Sequence, residues 1–171
     1  VPFWGLFIAR AITSPVWFFI SYWLFNYLHD VHGFHLKEMA AVAWIPFATA
    51  DIGNIMGGYL SGKLVARGVA PIKARVVLMG FGAFYMGSSI FTIWASHWAA
   101  ALALISVLTF FWGIWVSNML ALVADSFPSK DVGSVMSWTG LGQYGGSFVF
   151  MWYIGWALDK LCRGYTPVFI V

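Results

Sequence analysis

The stretch Trp98–Ala124, WAAALALISVLTFFWGIWVSNMLALVA, decides the fold, because it contains no charged residue. It exceeds the ~20 residues that an α-helix needs to cross the hydrocarbon core of a bilayer. In lipid a helix satisfies its own backbone hydrogen bonds, whereas a barrel strand alternates polar and apolar residues over about half this length. The stretch therefore predicts a transmembrane helix.

Further apolar runs lie on either side of this stretch. We predict spans over residues 2–28, 39–62, 76–95, 98–124 and 132–158, with a sixth beginning at 165–171. The third, fourth and fifth spans contain no charged residue, the first contains only Arg10, and the second contains only Asp51. The predicted fold class is an all-α integral membrane bundle in a lipid bilayer.

Composition and motifs exclude several classes of protein. Of the 171 residues, 61% are hydrophobic and 9% are charged, whereas a soluble domain has about 25% charged residues. This excludes a cytosolic enzyme and a nucleic-acid-binding module. The single cysteine, Cys162, excludes a Cys-based zinc site. We interpret the three histidines of the short loop 29–38 as hydrated rather than metal-binding, so we expect no metal and no cofactor.

Loop charges predict the orientation of the chain, because Lys and Arg accumulate on the cytoplasmic side of a membrane. One side has five of them, Lys63, Arg67, Lys73, Arg75 and Lys130, and the other has three, Lys37, Lys160 and Arg163. We therefore place the loop 63–75 in the cytoplasm. Val1 is not an initiator residue and the run 165–171 is short for a span, so we expect a fragment of a longer membrane protein.

Polar side chains collect on single faces of the predicted spans. At about 100° per residue, four sets each share a face: Arg10, Ser14 and Ser21; Tyr22, Asn26 and His29; Asp51, Asn54 and Ser61; Thr139, Gln143 and Ser147. Such groups cost several kcal/mol in hydrocarbon unless they face water or a partner. The pattern predicts a central wet cavity, as in a channel, a transporter or a membrane-embedded enzyme. The alternative is that these groups form hydrogen bonds that only hold the helices together.

The two charged residues at membrane depth allow two interpretations. Asp51, near the middle of its span, must pair, line the cavity or be protonated, whereas Arg10 lies nearer the cytoplasm and can extend to the headgroups. If their helices adjoin, Arg10 partly neutralises Asp51 and both are structural. Otherwise, Arg10 attracts an anionic substrate and Asp51 carries a proton.

Glycine and proline predict how the helices meet and bend. Small residues let helix backbones approach closely in a membrane. Pro15 and Pro46 lie inside the first two spans, so we expect a kink or local unwinding at each. We interpret the glycines of the second span as packing positions: Gly53, Gly57, Gly58 and Gly62.

Three stretches carry motifs that occur together in one family. They are RAITSPVWFFISYWLFNYL at 10–28, the stretch 45–75 that contains IPFATADIGNIMGGYLSGKLVARG, and the segment from Asn118 through ADSFP at 124–128 and GSV at 133–135 to GLGQYGG at 140–146. In this order they resemble helices seven, eight, ten and eleven of the anion:cation symporter family within the major facilitator superfamily. Gly62 stands where the superfamily's loop motif often has an acid, so we expect no charge latch at that helix end.

The resemblance implies the C-terminal six-helix half of a major facilitator fold, with the N-terminal half missing. It implies a secondary transporter, not an enzyme, in a bacterial inner membrane. Its cargo would be an organic anion such as a hexuronate or another sugar acid, moved with a proton by alternating access. The carboxylate's positive partner would lie in the missing half, and Asp51 is the local candidate for proton coupling. The implied substrate contacts are Tyr22, Asn26, Asn118, Thr139 and Gln143.

Two alternatives stay open. A protein of the same fold could exchange anions or carry them as a uniporter. A protein of another class, a non-transporting membrane scaffold subunit, would cover its polar faces with partner helices and leave no cavity between halves.

Overall fold

A computed structural model describes residues 3–87, 95 and 97–161, without the side chains of residues 23, 31, 32 and 157–161. This part of the chain is helical and contains no strand, which confirms the predicted all-α fold class. Its helices are α1 (Phe3–His32), α2 (Leu36–Val42), α3 (Ile45–Ala66), α4 (Pro71–Met86), α5 (Trp98–Ser126) and α6 (Ser129–Leu161).

Within the described residues, three helical segments are long and apolar enough to cross a membrane: Phe3–Tyr22, Leu36–Ala66 and Trp98–Ser126. They fall in the first, second and fourth predicted spans. The stretch 88–94, which belongs to the third predicted span, and the run 165–171 lie outside the described residues. The count of five complete spans therefore stays a prediction.

The second predicted span is broken near its proline. α2 ends at Val42 and α3 begins at Ile45, so Ala43 and Trp44 interrupt the helix. Pro46 follows in the first turn of α3, where a missing N–H costs no helical hydrogen bond. The expected unwinding is thus confirmed just before Pro46. By contrast, α1 continues through Pro15 as one helix, so it does not unwind there, and the expected kink at Pro15 stays a prediction.

Helices α3 and α5 form one closely packed pair, and α1 and α6 form another, with α4 against α5. Glycine makes these approaches possible, because a Cβ at Gly53 would collide with the carbonyl oxygen of Phe110 and one at Gly146 with that of Ala11. Gly57 is similarly confined, whereas Gly58 and Gly62 have open space around them. The packing role predicted for all four glycines of the second span therefore holds only for Gly53 and Gly57.

The buried apolar side chains form two clusters along α1 and α5. One joins the C-terminal part of α1, including Leu24 and Leu28, to the N-terminal part of α5, including Ile105. The other joins Leu6 near the start of α1 to Met119 in the second half of α5. The two helices are therefore antiparallel, and their middle segments lie between the clusters.

Candidate functional site

Three of the polar residues singled out in the sequence meet where α1 contacts α6. The Nε of Arg10 donates to Oε1 of Gln143 at 2.8 Å, and its Nη1 donates to Oγ1 of Thr139 at 3.1 Å. Thr139 and Gln143 are four residues apart and so share one face of α6. Thr139 is buried, and Arg10 and Gln143 are half-buried. We call these three residues the Arg10 site.

The Arg10 site contains a cation held by neutral groups. The ion pairs between described side chains are His29–Asp30 and Arg75–Asp125, so Arg10 has no carboxylate partner among those side chains. Arg10 and Asp51 form no ion pair among the described side chains, and Asp51 is exposed on α3, so the structure does not bring these two charges together.

A guanidinium has five N–H donors, and the two bonds to the Arg10 site's other members leave three of them for a ligand. A half-buried positive charge in a medium of low dielectric attracts an anion more strongly than one in water. Arginine also matches a planar carboxylate with two parallel hydrogen bonds. The Arg10 site can therefore bind a carboxylate without first breaking an ion pair.

The two α6 residues of the Arg10 site differ in what they can offer a ligand. The Thr139 hydroxyl accepts from Arg10 while it donates to the Met136 carbonyl oxygen at 3.1 Å, so its proton is already used. Gln143 accepts through Oε1, which leaves its Nε2 amide for a hydroxyl or carbonyl acceptor. Thr139 therefore positions Arg10, whereas Gln143 can contact a polyhydroxy ligand directly.

The structure does not bring Tyr22 and Asn26 to the Arg10 site. Both are exposed, and Tyr22 lies twelve residues beyond Arg10, which is about 18 Å along a helix. Phe18 stacks on Tyr22 at 6.2 Å and contacts Tyr144 of α6 at 5.9 Å. Their roles as substrate contacts stay predictions.

Asn118 lies in the contact between α3 and α5. It is fully buried, and its Nδ2 donates to the carbonyl oxygens of Gly57 at 3.2 Å and Ile114 at 2.8 Å. This is the interhelical hydrogen bonding that we gave as the alternative to a cavity. Asn118 lies outside the Arg10 site and joins the two helices here, and its role as a substrate contact stays a prediction.

Two groupings were missed in the sequence. Arg75 at the start of α4 donates to the Asp125 carboxylate of α5 at 3.1 Å and to the Ser61 hydroxyl of α3. An ion pair thus joins helix ends even though Gly62 supplies no acid. The residues of this grouping lie on three separate helices, so no local sequence pattern predicts it. The second grouping stacks Trp17 on Trp112. Trp17 follows Arg10 by seven residues on the same helix face, which was an available signal.

Comparison with known proteins gives one family and several relatives. The family model of the Major Facilitator Superfamily matches residues 1–151. The "Hexuronate transporter" of Escherichia coli (strain K12) is 30% identical over 172 residues, which is 99% of this chain and 39% of that protein. The "Galacturonate transporter" of Dickeya chrysanthemi is 40% identical over 58 residues, 34% of this chain and 17% of that protein.

A third relative is similar over an intermediate range. The "Probable L-galactonate transporter" of Escherichia coli (strain K12) is 29% identical over 141 residues, which cover 78% of this chain and 30% of that protein. The chain thus spans 39% of the length of the hexuronate transporter that it matches.

Proposed function

Because this chain belongs to the Major Facilitator Superfamily, we propose that it is part of a secondary transporter that carries an organic anion, a hexuronate or a related sugar acid. As a member of this superfamily the chain is a multi-pass membrane protein and not an enzyme. The names of the three relatives support the substrate class, since each name contains a sugar acid.

One observation carries the proposal most directly, namely that Arg10 is half-buried between α1 and α6 with two neutral partners. A cation at membrane depth is costly unless it faces water or a partner, and such residues commonly mark substrate or ion pathways. The substrate carboxylate binds the free N–H groups of Arg10, and the Gln143 amide donates to a neighbouring hydroxyl. This changes our expectation that the carboxylate's positive partner lies only in another half of the protein.

Transport also needs a second half that faces this one. Carriers of this kind hold their substrate between two repeats that rock about a site near the midplane. We infer that an N-terminal half outside this chain completes the site, and that a proton moves with the anion. Exchange or uniport by the same fold is the competing mode, which a measurement of pH-driven accumulation separates from symport.

Arg10→Gln tests the proposal in the complete protein, reconstituted in proteoliposomes and supplied with radiolabelled hexuronate. The variant keeps a side chain that can hydrogen-bond Thr139 but removes the charge. Losing one partner of a close charge pair costs about 2–5 kcal/mol, so we expect KM to rise by at least about 30-fold. Uptake with an unchanged KM would contradict the proposal.

Arg67→Gln is the matched control. Arg67 is exposed at the end of α3, and its loss also lowers the net charge by one without touching the Arg10 site. We expect the control to keep the wild-type KM. If both variants lose affinity equally, the effect comes from the overall charge and not from a carboxylate on Arg10.

A further inference from the structure

The Trp17–Trp112 stack belongs to an aromatic cluster that the Arg10 site does not include. Its third member is Phe47 of α3. The indole rings have centroids 4.3 Å apart and an interplanar angle of 11°. Phe47 meets Trp17 edge to face at 5.6 Å. The cluster therefore joins α1, α3 and α5 at one level of the bundle.

That level is the middle of the bundle. Trp17 and Trp112 lie halfway along α1 and α5, between the two apolar clusters that pack these helices together. In carriers with two rocking halves, substrate sites lie near the bilayer midplane. The indoles are thus at the depth where a substrate would be held.

Trp112 has an unused hydrogen-bond donor. Its Nε1 is buried and has no acceptor among the described residues. A buried indole N–H usually finds a partner, and an unpaired donor of this kind is costly in a protein interior. The donor is therefore available to a group from outside the described part of the chain.

The spacing relates this donor to the Arg10 site. Seven residues separate Arg10 from Trp17, so they share a face of α1 at a distance of about 10 Å along its axis. An extended six-carbon acid is about 6 Å long by ordinary bond lengths, and a hydrogen bond of about 3 Å at each of its ends covers the remaining distance. An acid whose carboxylate is bound to Arg10 can therefore direct its far hydroxyls towards the indoles.

We propose that Trp17 and Trp112 recognise the hydroxyl-bearing end of the substrate. The Trp17 indole stacks on the C–H face of the sugar acid, and Trp112 Nε1 donates to one of its hydroxyls. Because the two rings cover each other in this structure, binding slides one indole off the other. This inference rests on the proposed function, since it assigns the second end of the same ligand.

Trp112→Phe tests the inference, because phenylalanine keeps an aromatic ring and removes the N–H. The complete protein is reconstituted, and inhibition of hexuronate uptake is measured with a hexuronate and with a hydroxyl-free carboxylate of similar length. We expect the variant to bind the hexuronate roughly three- to ten-fold more weakly, the value of one hydrogen bond. Affinity for the hydroxyl-free carboxylate should not change.

Trp115→Phe is the control, since Trp115 lies one turn further along α5 in an apolar cluster. It should leave the ratio of the two affinities unchanged. Equal weakening for both anions in Trp112→Phe, or none for either, would overturn the inference. If Trp112→Phe does not insert, Trp17→Leu, which removes the stacking surface, must give the same selective loss. Wild-type hexuronate uptake tests the proposed function separately.

Discussion

Single polar residues serve two different purposes in this bundle, and their surroundings decide which. Arg10 is half-buried, is held by two neutral oxygens and keeps free N–H groups. Asn118 is fully buried and directs its amide N–H groups at two backbone carbonyl oxygens. Arg10 has spare N–H donors for a ligand, whereas the amide N–H groups of Asn118 are already used between two helices and only its Oδ1 has no partner among the described residues.

Asn118→Ala separates packing from substrate binding at this position. Interhelical hydrogen bonds in membranes contribute about 0.6 kcal/mol on average and up to about 1.7 kcal/mol. We expect the variant to unfold at a lower temperature in detergent, with a loss of about 1 kcal/mol, while the KM for uptake stays at the wild-type value. Thermal unfolding and proteoliposome uptake measure the two effects.

Asn26→Ala is the comparison for the thermal measurement, because Asn26 is an exposed amide on α1 and its loss should not change the unfolding temperature. A raised KM with unchanged stability in Asn118→Ala would restore our original prediction that Asn118 contacts the substrate.

At the scale of helices, the bundle depends on close contacts made through glycine in two helix pairs, α3 with α5 and α1 with α6. In each, a carbonyl oxygen of one helix occupies the space that a side chain would need on the other, at Gly53 against Phe110 and at Gly146 against Ala11. Close backbone approach lets dispersion contacts hold helices together in lipid, where apolar burial gives little driving force. These two contacts therefore set the frame that brings α6 to Arg10.

Gly53→Ala and Gly58→Ala, on the same helix, should shift stability in opposite directions. The added methyl group at Gly53 meets the Phe110 carbonyl oxygen and forces α3 and α5 apart, which at the usual cost of overpacking lowers stability by about 1–3 kcal/mol. At Gly58 the methyl group meets open space, and the better helix propensity of alanine adds up to about 1 kcal/mol. Unfolding temperatures in detergent measure the stability of both variants. Equal shifts in the two variants would contradict the close contact between Gly53 and Phe110.

The helices and part of the site follow from the sequence for a physical reason. Apolar run length and charge placement fix which segments are helical, and Pro46 marks where α2 and α3 separate. Arg10, Thr139 and Gln143 could be picked out because polar groups are rare in such runs. Their contacts with one another could not be predicted, because the pairing of α1 with α6 depends on packing between segments far apart in the chain. The burial of Asn118 escaped prediction for the same reason.

At the scale of the whole molecule, the proposed transport function requires a second half that faces the Arg10 site. Tyr22, Asn26 and Asp51 are exposed in the described bundle, and polar groups of this kind are costly against acyl chains. If a second half covers them, they border the passage between the halves, as alternating access requires. A scaffold subunit would cover the same side chains with fixed partner helices, and no substrate would move.

Asp51→Asn tests coupling between the two halves, because a carboxylate can carry a proton across the passage and an amide cannot. Asp51 forms no ion pair within the described ranges, so no cation has to leave before it takes up a proton. We expect the variant in the complete protein to lose accumulation of hexuronate driven by a pH gradient while it still exchanges internal for external hexuronate.

Asp131→Asn, at an exposed carboxylate in the first turn of α6, is the control and should accumulate hexuronate normally. Accumulation that survives in Asp51→Asn would mean that another group carries the proton, because an isosteric amide leaves the passage unchanged in shape and removes only its capacity to be protonated. A wild-type protein that exchanges hexuronate but does not accumulate it on a pH gradient would contradict symport itself.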